Sequence, residues 1–102
     1  MNAVPTAFDV TAPLLRWELN RASYHVVMLT EAISDEIAAL PLPPAGFGSV
    51  KVSATVGAQT WSTSVFPSSK DGVYWMPVKK RVMKREGLEE GSDVVLHLAI
   101  VR

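Results

Sequence analysis

The stretch VKVSATVGAQTWSTSVF, Val50 to Phe66, decides the fold. Val50, Val52, Ala54 and Val56 alternate with Lys51, Ser53 and Thr55, the two-residue period of a strand with one buried and one wet face. Gly57-Ala58-Gln59 supplies a tight turn, and TWSTSVF returns as the partner strand. The segment is a β-hairpin, and the domain around it is β-rich.

Downstream, a second turn at SSKDG (68–72) uses Asp71-Gly72, where glycine accepts a positive φ, and leads into the strand VYWMP. Pro77 suits a first helical position, where its missing N–H is not needed, so VKKRVMKRE reads as a helix ending at Gly87. Val78 and Val82 are its apolar pair, and Met83 and Leu88 extend the buried edge. SDVVLHLAIV then closes the sheet as a strand apolar on both faces, hence central or barrel-forming.

Upstream, YHVVMLTE (24–31) reads as a buried strand following a turn at Asn20-Arg21-Ala22-Ser23. In SDEIAAL the period changes: Ile33, Ile37 and Leu40 fall at helical spacing, with Ser34 as N-cap and Asp35 and Glu36 in the first turn. PLPP at 41–44 ends that helix, and GFG at 46–48 completes the loop. The opening AFDVTAPLLRWEL is β-prone, but Pro13 cannot donate to a ladder, so this is an edge strand or carries a bulge. Six strands joined mostly by hairpins, with two short helices, predict a mainly β (α+β) fold: a small, roughly six-stranded, partly open β-barrel.

Residues 1–102 make one domain, which on folding buries roughly 65% of its unfolded surface, enough for a core without staples. Cysteine is absent, which excludes disulfides and thiolate chemistry and fits a cytoplasmic location. The N-terminus does not read as a secretory signal, and no apolar run approaches the ~20 residues of a membrane span. Ten basic and ten acidic residues balance overall. Residues 1–50 hold two basic and five acidic groups, a net of −3, and residues 51–102 hold eight and five, a net of +3. Such asymmetry marks a candidate basic face, or two halves that neutralise each other.

GFGSVKV, TWSTSVFP, VYWMPVKKRV and GLEEGSDVVLHL occur in that order. Through them the chain, from about Phe8 to Val101, resembles the small β-barrel family catalogued as domain of unknown function nineteen-oh-five. The resemblance implies a compact barrel of roughly six strands and supplies no catalytic residues. The helix–GL–acidic–Gly–strand order near the end is also similar to the second half of swapped-hairpin (AbrB-like) barrels, some of which bind DNA as dimers. Those barrels read Gly-Asp before the last strand, whereas here Ser92 separates Gly91 from Asp93.

The most pronounced chemical feature is the basic segment Lys79, Lys80, Arg81, Lys84 and Arg85. On a helix, Lys80/Lys84 and Arg81/Arg85 are like-charged i, i+4 pairs, each destabilising by roughly 0.2–0.5 kcal/mol. A sequence carrying two such pairs has acidic partners nearby or uses the charge. The plain reading pairs them with Glu86, Glu89, Glu90 and Asp93 as a solvated face; the functional reading is phosphate or nucleic-acid contact.

Tyr24, His25, Trp61 and Trp75 are candidates for a pocket, with Trp61 also a natural core filler and one of Tyr74 and Trp75 facing outward. His97 has the parity opposite to Leu96 and Leu98 and is expected to face solvent. No HExxH, GxSxG or complete glycine fingerprint occurs, so no catalytic residue, metal or cofactor is expected.

The expectation is a non-catalytic binding or interaction module, monomeric or homodimeric, using the basic helix for nucleic acid or an acidic protein surface and not a membrane. A small-ligand-binding barrel and an enzyme of unknown chemistry are the alternatives.

Overall fold

A computed structural model describes residues 6–41, 48–68 and 72–101. Among the described residues seven strands form one sheet: β1 (Ala7–Pro13), β2 (Leu15–Leu19), β3 (Ala22–Met28), β4 (Val50–Val56), β5 (Gln59–Pro67), β6 (Tyr74–Pro77) and β7 (Asp93–Ile100). The helices are α1 (Glu31–Ala38) and α2 (Lys80–Glu86). The strand order is β1-β7-β4-β5-β6-β3-β2, with every neighbouring pair antiparallel.

The expected six strands become seven because the first one breaks at Leu14. Pro13 closes β1 opposite Asp93, and Leu15 opens β2 opposite Val26. The two halves of one run therefore form the two edges of the sheet, curling it into a half-barrel. Leu14 is fully buried at the bend; its N–H donates to Ser92 O at 2.8 Å, and its carbonyl accepts from Gly91 N at 2.8 Å. Ser92 earns its place in the turn: its Oγ accepts from Glu89 N at 3.0 Å and its N–H donates to Glu89 O at 2.9 Å.

The hairpin lies where its alternation places it. Val56 pairs with Gln59 across Gly57-Ala58, and the ladder runs to Val50 opposite Val65. Val52, Ala54, Val56, Trp61 and Val65 face the core with Leu96, Leu98 and Met76. In β7 only one face is dry: Val94, Leu96, Leu98 and Ile100 are buried, whereas Val95 is 68% exposed and His97 faces solvent. The strand is central, between β1 and β4, but its second apolar face is not covered.

Several local expectations are corrected by tertiary contacts. β3 starts at Ala22 after a two-residue turn, Asn20-Arg21, whose residues both have positive φ. It ends at Met28, short of Glu31. Thr30, not Ser34, caps α1, its Oγ1 accepting from Ile33 N at 3.2 Å. Ser34 is buried within the helix and accepts from Tyr74 N at 2.9 Å, which ties α1 to β6. Glu31 is the acidic residue of the first turn, while Asp35 and Glu36 are exposed further along.

Pro77 belongs to β6, opposite Val26, and Lys79 is the N-cap of α2. Val78 thus precedes the helix, yet it is buried with Val82 in the core. Gly87 ends α2 with φ 65°, its N–H donating to Met83 O. The PLPP and Phe47 readings (apart from Pro41 and Gly48) and Asp71 of the second turn lie outside the described residues.

Candidate nucleic-acid interface

Helix α2 lies across one end of the half-barrel. At its start, Val78 N donates to His25 O at 2.8 Å, tying it to β3. At its end, Glu86 Oε2 accepts from Gln59 Nε2 at 3.4 Å beside the β4–β5 turn. Gly57, at φ 57°, leaves the room that the Glu86 carboxylate occupies; a Cβ there would collide with it. Val82 is the buried contact of the helix, and the opposite face is turned to water.

That face carries the charge. Lys79, Lys80, Arg81, Lys84 and Arg85 are all exposed. Among the described residues the ion pairs are Arg16–Glu18 and His97–Asp9, so none of the five is paired. Glu86 is directed to Gln59, and Glu89 and Asp93 belong to the turn and to β7. The acidic groups that follow in sequence therefore do not neutralise the helix by contact. Lys84 and Arg85 sit in the last turn, where the helix dipole favours cations, but Lys80 and Arg81 sit in the first, where it does not.

Strand register separates the four pocket candidates. Residues directly opposite share a face. Tyr24 pairs with Trp17, and Trp75 with Met28 and Phe66, all on the outer face. His25 has the parity of Val27 and Trp61 that of Val65, so both lie on the inner face. Trp61 is 7% exposed, and its Nε1 has no hydrogen-bond partner among the described residues. The four thus do not line a common cavity.

The outer face instead gathers a cluster that includes Trp17 and Phe66, which sequence reasoning missed. Trp75 stacks on Phe66 with centroids 4.9 Å apart and meets Trp17 edge-on at 5.1 Å. Val26, in the row between, is fully buried yet stands apart from the main core. Tyr24 continues the row, 48% exposed. The β3–β6 ladder ends at Pro77 opposite Val26, with Val78 N bonded to His25 O one residue on, so the chain enters α2 beside the end of β3 that carries Tyr24. The signal for Trp17 was present in the sequence as the hairpin partner of Tyr24, but it needed the turn to be set at Asn20-Arg21.

Among the described residues, no helix is long and apolar enough to cross a membrane, and no group of three or more His, Cys, Asp or Glu is arranged to hold a metal. No curated protein matches the chain. The family model described as "Domain of unknown function (DUF1905)" matches residues 11–98, nearly the whole chain. By that match, on a β-rich half-barrel of the kind the resemblance implied, the protein belongs to the DUF1905 family.

Proposed function

We propose that this domain is a non-catalytic binding module whose α2 face contacts the phosphates of nucleic acid. The observation carrying the reading is the set of five exposed cations on and just before one short helix, none paired with an acidic group among the described residues. Nucleic acid offers regularly spaced phosphates, and their neutralisation releases counterions, so such a face binds without demanding a shaped pocket. In this reading the partner is met in the cytoplasm.

The aromatic row on the outer face favours a single strand over a duplex. Unstacked bases lie on exposed rings, each such contact contributing about 1–3 kcal/mol. Tyr24 is the most open of these rings and Trp17 is its cross-strand neighbour. Fluorescence anisotropy with labelled single- and double-stranded oligonucleotides tests the reading at low salt. Wild type is expected to bind, and Lys80→Glu/Lys84→Glu/Arg85→Glu to lose binding to both forms. Tyr24→Ala is expected to weaken the single strand by about 1–3 kcal/mol and leave the duplex unchanged. Equal binding by wild type and the triple variant contradicts the role of α2.

A further inference from the structure

The outer face of the sheet carries a depression for a plain steric reason. Phe66, Ser64 and Ser62 of β5 point to that face, since alternate residues of a strand share a side. Ser64 lies opposite Lys51 of β4, and Lys51 in turn lies opposite Val101, whose N–H donates to Lys51 O at 3.0 Å. On the other side, the Phe66–Trp75 step continues to Ser64 opposite Pro77. One row thus runs from Pro77 in β6 through Ser64 and Lys51 to Val101 at the end of β7. Phe66 and Ser62 stand two residues to either side of Ser64. The serines are the small members of this set, so the bulkier side chains rise around them. The result is a groove of about 570 Å³ lined by Lys51, Ser62, Ser64, Phe66, Pro77 and Val101, among others. Its volume is that of a small-molecule site.

We propose that this groove binds a phosphate monoester carrying a planar ring, as a nucleoside monophosphate does. Its two sides supply the two chemistries. Lys51 is exposed, and among the described residues no acidic group pairs with it. Its ammonium brings three donors, and the Ser62 and Ser64 hydroxyls add one each. That set suits the three acceptor oxygens of a terminal phosphate better than the two of a carboxylate, with lysine acting as a point charge. Phe66 forms the ring wall. It is half-buried and diagonal to Lys51 across the β4–β5 ladder, a spacing of about 7–8 Å. Trp75 stacks behind it with centroids 4.9 Å apart, which holds the ring in place. A planar group laid against Phe66 therefore leaves its phosphate within reach of Lys51. The inference stands on the groove alone, independently of α2.

The probes are adenosine monophosphate with its phosphate on the ribose 5′ oxygen, adenosine, and ribose 5-phosphate, each titrated into isotopically labelled protein and followed by NMR. The monophosphate is expected to shift the Lys51, Ser62, Ser64 and Phe66 amides saturably. Adenosine lacks the phosphate and ribose 5-phosphate lacks the ring, so each should bind at least about tenfold more weakly. Lys51→Ala should weaken the monophosphate about tenfold and leave adenosine unchanged. Phe66→Leu should weaken both ring-bearing probes and spare ribose 5-phosphate, with a circular dichroism spectrum like that of wild type. Lys80→Glu/Lys84→Glu/Arg85→Glu should bind the monophosphate as wild type does, which separates this site from the α2 face.

No saturable shift at millimolar monophosphate, equal binding of adenosine, or unchanged affinity in Lys51→Ala each overturn the proposal. So do shifts confined to Lys80–Arg85, which assign the phosphate to the basic helix. An oligonucleotide phosphorylated at its 5′ end distinguishes the source of the ligand. If it shifts the groove amides where its unphosphorylated counterpart does not, the groove takes strand ends as well as the free nucleotide. If neither shifts them, the groove takes the free nucleotide alone.

Discussion

At Trp61 the indole is enclosed by the core while its N–H has no acceptor among the described residues. A buried donor left unpaired costs about 1–3 kcal/mol, so the ring contributes packing rather than a hydrogen bond. Trp61→Phe should therefore remain within about 1 kcal/mol of wild type, and Trp61→Ala should lose about 3–5 kcal/mol. Urea unfolding checks both; a large loss in Trp61→Phe would show that the N–H is used. The core position of this residue was legible in its alternation with Val65, whereas its orphaned N–H was not. Ser34 shows the same limit. Its residue type suits a cap, but its hydroxyl is engaged by Tyr74 N from a strand forty positions away, and Thr30 caps instead. Local preference names the candidates, and the distant contact chooses between them.

Among the elements, β4 and β5 follow directly from period two and a glycine turn. β7 was legible as central but not as one-sided, because Val95 looks like core in sequence and is left in water by the sheet's curl. Leu98→Ala should cost about 2–5 kcal/mol, and Val95→Thr should stay within about 0.5 kcal/mol, both by urea unfolding. Similar losses at the two sites would mean that something covers the outer face of β7. Pro77 was read as a helix opener because it precedes a helical pattern; it is instead the residue that ends the β5–β6 ladder. Pro77→Ala supplies the missing donor opposite Ser64, so its new amide should be protected from exchange. A freely exchanging Ala amide would refute that account of where the ladder ends.

For the whole molecule, one run bent at Leu14 supplies both edge strands, and the clamp formed by Gly91 and Ser92 holds the bend. The sequence showed the break at Pro13 but not that its two halves travel to opposite edges, which depends on pairing with β7 and β3. Charge is organised at the same scale. The acidic and basic halves of the chain do not pair at α2 among the described residues, and the aromatic row on the outer side of the sheet includes Trp75 of β6, the strand that leads into α2. The basic run was visible from composition alone; that it is unpaired was not, since the glutamates after it looked available until the fold turned Glu86 to Gln59.

The salt dependence of single-stranded DNA binding tests the central claim most directly. Each neutralised phosphate contributes about −0.7 to the slope of log affinity against log salt for single strands, so three to five contacts predict about −2 to −3.5. Wild type should show that slope, and Lys80→Glu/Lys84→Glu/Arg85→Glu should show binding too weak to measure or a slope near zero. An identical slope in the two proteins, or no binding by wild type at low salt, would contradict the assignment of α2 as the phosphate-contacting surface.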